Sequence, residues 1–478
     1  MPRLSPYLLC LFALVSLLPL TSLAAFESAQ RYLPAGTRIG LVSQTLTPTP
    51  ITQQASTTAN DYFPPASTLK IITALASQLE LGAQFRFTTQ LQADDDNLVL
   101  RFSGDPSLTS EDLRRLLLAY RQQKGRQISG DIWLDTSQFT GYQRGVGWPW
   151  DSTGVCFSAP VGAINIDGNC IQASIYTQDN GATRVYVPPH YPVHVTSEAI
   201  TVSQSDQQRL HCDLELLTTS DNHYRLSGCL AERDRPLPLN FAVQNLELYA
   251  QRVLYQQLRQ LGIRLEGEIK IGLPSHHQSM APIAVHQSPP LTELLKLTLQ
   301  DSNNLIADAL TKTLGRHFFV QPGSFANGTE AIKQIIFTNT GIDLTADQLV
   351  DGSGLSRNNR LRLDSMQQIL AYIAQHDQQL SLLSLLPRAG ESGTLRYRRS
   401  MRGNDIRGQI IAKSGSLYAT HNMAGFVVDQ KGKPLSLFVQ YITDYFPAEP
   451  NPQRPVEPPM TRFEQHFYQQ IIEMAHAD

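Results

Sequence analysis

The hydrophobic positions of this chain change period along its length, and each change predicts an element. Near the start, "TRIGLVSQTL" alternates closely enough to predict a strand. In "STLKIITALASQLELG", Leu69, Ile72, Ala76 and Leu79 fall on one stripe, which predicts a helix stopped by Gly82. From about residue 88 the texture shortens. "FTTQLQADDDNLVLRFSG" predicts a hairpin turning at Asp94 to Asn97. "SEDLRRLLLAYRQQKG" predicts a helix with Ser110 as N-cap and Gly125 as its stop. Residues 128 to about 245 read as short strands and turns, then "NLELYAQRVLYQQLRQLG" as a helix and "IRLEGEIKIGL" as strand.

After about residue 285 the helical period dominates. "PPLTELLKLTLQDSNNLIADALTKTLG" predicts two helices meeting near Ser302, and "SMQQILAYIAQH" predicts another. "GQIIAKSGSL" and "NMAGFVVDQKGKPLSLFVQYIT" predict antiparallel strands, the second turn lying at Gln430 to Gly432. The last helix, "MTRFEQHFYQQIIEMA", puts Phe463, Phe467, Ile471 and Met474 on one face. Its other face is not basic, so docking on its own sheet is expected rather than on a membrane. The expected organisation is a mixed α/β domain in two pieces, 25–90 and 266–478. A strand-rich insertion at 91–265, read as two small subdomains, separates them.

Composition narrows the class. A chain of 478 residues is too long for one ordinary core. A net charge of −3 and no evident block of lysines or arginines point away from nucleic acid. The first residues, "MPRLSPYLLCLFALVSLLPLTSLAAF", read as an export signal, with Ser22 and Ala24 at the −3 and −1 positions of a cleavage after Ala24. A membrane anchor is the rival, but Pro19, Thr21 and Ser22 interrupt the apolar run. No cysteine follows the cleavage region, so a lipoprotein signal is excluded. Removing Cys10 with the signal leaves Cys156, Cys170, Cys212 and Cys229. An exported chain favours disulfides, and local pairing, Cys156–Cys170 and Cys212–Cys229, is expected. A zinc site is the alternative, but no C-x-x-C is present. His276, His277 and His286 read as a solvated loop, and Trp148 and Trp150 as ordinary buried aromatics.

The candidate chemistry lies in three stretches. In "FPPASTLK", Ser67 and Lys70 are three apart at a helix start, where the two side chains share a face. A serine hydroxyl needs a base, and a desolvated lysine can serve. "QDSNNLIAD" holds Ser302 and Asn304 at a helix junction, and "IIAKSGSLY" holds Lys413, Ser414, Gly415 and Ser416 at the end of a strand. Each stretch alone reads as a cap or a turn. Together, in this order, they resemble the S-x-x-K, S-D-N and K-T-G set of the penicillin-recognising serine enzymes, here S-T-L-K, S-N-N and K-S-G. "GWPWDSTGVCFSAP", "DGSGLSRNN" and "KSGSLYATHNMAGF" extend the resemblance over nearly the whole chain beyond the signal. The chain is similar to the class C, type-4 penicillin-binding proteins, D-alanyl-D-alanine carboxypeptidases and endopeptidases marked by a large insertion between the first two motifs.

That resemblance implies a transpeptidase-like domain with an antiparallel sheet and flanking helices, and roles for particular residues. Ser67 would be the nucleophile and Lys70 the base. Ser302 would relay a proton to the leaving amine, and Asn304 would hold the substrate amide. Lys413 would supply a fixed positive charge and, with Ser414, meet the terminal carboxylate. The backbone N–H groups of Ser67 and Ser416 would form the oxyanion hole. Arg357 would meet the charged end of a diaminopimelate side chain, with an acid from the insertion. Asp151 is the candidate, although the family's acid often falls at the place held here by Ser152. The implied partners are peptidoglycan stem peptides and β-lactams in the periplasm, with no cofactor and no metal. A β-lactamase and a non-catalytic wall-binding protein are the alternatives.

Overall fold

A computed structural model describes residues 26–46, 53–55, 60–94, 96–275, 281–449 and 456–477. The signal segment with Cys10, and His276 and His277, lie outside the described residues. Among those residues no helix is long and apolar enough to cross a membrane.

One five-stranded sheet organises the body of the molecule. Its order is Ile410–Leu417, Thr420–Val428, Pro434–Thr443, Arg38–Thr45 and Gln53–Ala55, every neighbour antiparallel. The first predicted strand therefore pairs with the last, from Arg38 opposite Thr443 to Thr45 opposite Ser436. Both faces are covered, and the alternation of a strand sorts its residues between them. From Pro434–Thr443, Leu437, Val439 and Tyr441 enter one apolar cluster while Phe438 and Ile442 enter the other. The C-terminal helix, Pro459–Ala477, fills the second cluster with Phe463, Phe467 and Ile471, as its stripe predicts, and Met474 packs at the edge.

The first cluster holds the helices that carry the site. Lys70–Leu81 ends at Gly82, and Leu291–Gln300 and Asn304–Phe319 meet at Ser302. Leu363–Leu380 contains the stretch read as "SMQQILAYIAQH". A further helix, Phe325–Thr340, was not foreseen. Ser324 and Asn327 form a capping box at its start, and Gly328 lets it press on the neighbouring helix, since a Cβ there would stand 2.3 Å from the carbonyl oxygen of Thr311. The pattern is hard to read because that close approach replaces an apolar side chain with a glycine. A capping correction falls at the Ser110–Lys124 helix. Thr109 is the N-cap, exchanging bonds with Asp112, and Ser110 is the first helical residue.

The insertion is strand-rich, but its sheet reaches beyond the expected seams. Ile269–Ile271, Ile132–Asp135, Asn97–Phe102, Thr88–Asp94 and Pro282–Gln287 form a mixed five-stranded sheet in that order. The seam expected after residue 90 cuts one of these strands, and the seam expected after 265 leaves two of them outside. Pairing of Thr88–Asp94 with Pro282–Gln287 brings the two ends of the excursion together. One apolar cluster runs from Leu91 through Ile171, Tyr224 and Leu254 to Ile269, so the two expected subdomains share a core. His286 lies on a strand, not in a loop, with its ring nitrogens 3.3 Å and 3.4 Å from the carboxylates of Asp105 and Asp112. The disulfides are Cys156–Cys170 and Cys212–Cys229.

Candidate active site

Ser67 stands on a short 3-10 turn, Ala66–Leu69, that runs directly into the Lys70–Leu81 helix. Asn422 donates to the carbonyl oxygens of Pro64 and Pro65, fixing the approach. Ala66 has φ +49°, a left-handed conformation that costs a non-glycine residue energy and that neighbouring structure must impose. Side chains at i and i+3 eclipse on a 3-10 turn, so Lys70 Nζ lies 3.0 Å from Ser67 Oγ. The amine is fully buried. Its other partners are Asn304 Oδ1 and the carbonyl oxygen of Ser353, each at 2.6 Å. Burial pulls its pKa down to about 8, although Asp308 and Asp351 oppose the shift.

Ser302 takes φ +58° at the helix junction, and the cap role passes to Asn303, which accepts from the N–H of Ile306. Ser302 and Asn304 are thereby left to face the cleft. Ser302 Oγ accepts from Lys413 Nζ at 2.9 Å, and Asn304 Nδ2 donates to the carbonyl oxygen of Phe157 at 2.7 Å. Lys413 is also buried and donates to the carbonyl oxygen of Ser414. Desolvation, then the neighbouring Lys70, hold its pKa well below the usual lysine range. The fixed charge expected at this position therefore occupies surroundings that disfavour charge.

The Ile410–Leu417 strand is the edge of the sheet, and it lies against the turn that carries Ser67. A Cβ on Gly415 would be 2.9 Å from the backbone nitrogen of Ser67 and 3.0 Å from the carbonyl oxygen of Pro65. Ala412 donates its N–H to Pro387, and Ile410 accepts from Ala389, both on the side away from the sheet. Backbone groups of alternate residues point the same way, so the N–H groups of Ser414 and Ser416 face that open side. Ser414 Oγ lies 2.8 Å from Thr394 Oγ1.

"DGSGLSRNN" folds into a turn around Asp351. That carboxylate accepts from the N–H groups of Gly354 and Ser356, from Asn359 and from the indole of Trp148, at 2.7 to 2.8 Å. Gly354 has φ +79°, and a Cβ on it would be 1.9 Å from the carbonyl oxygen of Ala66. The turn is thus locked to the Ala66–Ser67 backbone, and it presents Ser353 to Lys70. Beneath it, Asp308 accepts from the N–H groups of Gly352 and Ser353 at 2.9 Å. Burial and Asp351 raise its pKa to about 7.

These parts enclose a cavity of 490 Å³ lined by Ser67, Ser302, Asn304, Ser416, Arg357 and Asp151, with Phe157 and Tyr418 on its walls. Arg357 and Asp151 are exposed, and the Arg357 guanidinium stands 6.0 Å from the Tyr418 ring centroid. Ser152 lines the same cavity as Asp151. Two sequence expectations fail nearby. Trp150 is 86% exposed rather than buried, and Trp148 is half-buried, spent on Asp351. A concentration of arginines does exist: "RYRRSMR" at 396–402, close beyond Thr394. Asp308, Asp351 and Phe157 were not singled out. Asp308 was signalled, since an acid four residues after Asn304 lies on the same face of the helix.

The molecule can be compared with known proteins. The model of the D-Ala-D-Ala carboxypeptidase 3 (S13) family matches residues 24–467. D-alanyl-D-alanine carboxypeptidase DacB of Haemophilus influenzae is 35% identical over 449 residues, 92% of each chain. D-alanyl-D-alanine carboxypeptidase of an Actinomadura species is 26% identical over 397 residues, 77% of this chain and 71% of that one. The crystal structure of penicillin binding protein 4 (dacB) from Haemophilus influenzae superposes with a TM-score of 0.84 and 33% identity, covering 94% of this chain and 99% of that one. The same protein complexed with a novel β-lactam gives 0.80 and 32% over the same shares. With the family model spanning nearly all of it, the chain belongs to the D-Ala-D-Ala carboxypeptidase (S13) family of serine peptidases.

Proposed function

We propose that the chain is a serine D,D-peptidase that removes the terminal D-alanine of peptidoglycan pentapeptides and also cuts D-alanyl-diaminopimelate cross-links. Ser67 Oγ attacks the carbonyl of the penultimate D-alanine while neutral Lys70 takes its proton. The oxyanion is held by the N–H groups of Ser67 and Ser416. The C–N bond breaks, Ser302 passes a proton to the leaving amine, and water hydrolyses the acyl-serine. The observation that carries this reading is the buried amine of Lys70 at 3.0 Å from Ser67 Oγ, with its pKa brought to about 8. A base near the working pH is the useful one.

Lys413 then has a more particular part than a permanent charge. Two adjacent buried amines cannot both be protonated cheaply. A substrate carboxylate arriving beside Ser414 favours the proton on Lys413, and that positive charge favours neutral Lys70. Binding of the correct terminus would thereby prepare the base. Arg357 and Asp151, exposed on one cavity wall, are offered for the two charges at the free end of a diaminopimelate side chain. The N-terminal segment and the two disulfides support an exported, periplasmic location.

Incubation with benzylpenicillin should add one acyl group, mapped by mass to Ser67. An unmodified Ser67 with a folded protein refutes the reading. Purified muropeptides separate the two activities, through D-alanine release and loss of dimers.

A further inference from the structure

The chain leaves the site at Thr394 and runs to Arg402 over the outside of the molecule. Its residues divide sharply. Leu395 and Met401 are sunk in the apolar cluster under the C-terminal helix. Arg398 is half-buried and paired with the buried Glu464, Nε to Oε2 at 2.9 Å, and Ser400 donates to the same carboxylate at 2.5 Å. These anchors make the segment a rigid feature. What it turns outward is basic and aromatic. Arg396, Tyr397, Arg399 and Arg402 are exposed, Tyr397 by 69%. The guanidiniums of Arg396 and Arg402 stand 5.2 and 5.8 Å from the Tyr397 ring centroid, a cation–π arrangement that keeps them in place. Among the described residues, no acid pairs with Arg396, Arg399 or Arg402. Nearby Glu391 faces Arg388 and Arg407 instead. In a chain of net charge −3 this surface is a local construction.

We propose that Arg396, Arg399 and Arg402, with Tyr397, form a docking surface for the carboxylate-bearing peptidoglycan polymer beyond the stem peptide being cut. The proposal rests on the D,D-peptidase reading and adds a second contact with the same substrate. Continuity with the site selects this partner. Thr394 touches Ser414 at 2.8 Å, and Arg396 follows two residues on, capping the 3-10 turn Gly393–Leu395 that carries Thr394. Wall peptides repeat free carboxylates along the polymer, and a guanidinium fork meets a carboxylate through two parallel hydrogen bonds. Several weak contacts on one polymer raise the local concentration of cleavable ends. An anionic bilayer would also attract arginines, but it has no connection with the cleft.

The test compares full-length Ser67→Ala protein with the same protein carrying R396E, R399E and R402E, by co-sedimentation with purified sacculi and with phosphatidylglycerol vesicles. Arg398 is left alone because it is structural. Pelleting with sacculi should weaken about tenfold in the triple variant, and its salt sensitivity should vanish. With Ser67 intact, the triple variant should release D-alanine from a soluble pentapeptide, and be acylated by benzylpenicillin, within about twofold of the parent, which shows that the fold survives. The triple Arg→Lys variant should keep the charge and part of the binding. Equal pelleting of the two proteins with sacculi overturns the proposal, and so does a loss confined to vesicles. Failure of the parent to be acylated would instead remove the peptidase reading, while the pelleting comparison still decides the docking surface.

Discussion

The inner and outer walls of the cleft are built on opposite principles. Inside, Lys70, Lys413, Asp308 and Asp351 are fully buried and almost every polar atom has a partner within the protein. Outside, Asp151, Arg357 and Tyr418 are exposed, and Trp150 is 86% exposed. Burial shifts the acidity of Lys70, Lys413 and Asp308 toward neutrality, which is what proton transfer needs. Exposure leaves the outer groups solvated, so they contribute only when a ligand displaces water. Reaction chemistry is thus fixed in advance, whereas selection of the substrate waits for contact.

Breaking the inner wall should have the largest effect. Ser67→Ala is expected to cut D-alanine release by about 10⁴-fold or more, measured with a soluble pentapeptide. Lys70→Met should slow acylation by benzylpenicillin by about 10²- to 10⁴-fold, with the protein still folded by circular dichroism. In the parent, acylation should rise with pH through about 8, because the active lysine is the neutral form and Lys70 titrates there. The same depressed pKa implies a stability change of matching sign. Between about 8 and the ordinary value of 10.5 the unfolded lysine holds a proton that the folded one has lost, so Lys70 costs stability below this window and that cost fades as pH rises through it. A pH-rate profile that is flat across this window would contradict the assignment of the base.

Supporting contacts should come next. Glu464→Ala leaves the half-buried Arg398 without its carboxylate and should cost about 2 kcal/mol in urea unfolding. Lys312 is buried on the Asn304–Phe319 helix and donates to the carbonyl oxygens of Tyr142 and Val161, which bracket the insertion's share of the cleft. Lys312→Met should cost about 1–3 kcal/mol by orphaning those acceptors. The smallest effect is expected at the outer wall. Arg357→Ala should raise KM for a diaminopimelate peptide about fivefold, near 1 kcal/mol, while acylation by benzylpenicillin is unchanged. Asp151→Asn and Ser152→Ala, measured side by side, show which side chain meets the diaminopimelate ammonium group: only that substitution should move KM.

The pieces of the inner wall were legible as local signals. Ser67 and Lys70 share a turn, and Ser302 and Asn304 share a helix junction, so short spacings suffice to find them. Gly415 and Gly354 could be seen but not understood, since each is small for the sake of a distant backbone: the turn at Ser67 and the carbonyl of Ala66. Asp351 was not singled out because its partners, from Trp148 to Asn359, are assembled from separate segments. Trp150 was misjudged because an aromatic side chain is apolar whether or not anything covers it. The arginines of 396–402 were passed over because one of them, Arg398, pairs with the buried Glu464, and only the fold separates it from its exposed neighbours.

By itself the sequence determined most of the elements and the order of the three motifs, because periodicity, caps and turn residues act over a few positions. The tertiary structure alone decided which side chains lost their water. Desolvation of Lys70 and Lys413 depends on what closes over them, and the segments that close over them come from far along the chain. It also decided the true extent of the insertion, since strand pairing between Thr88–Asp94 and Pro282–Gln287 is a long-range choice that no local pattern records.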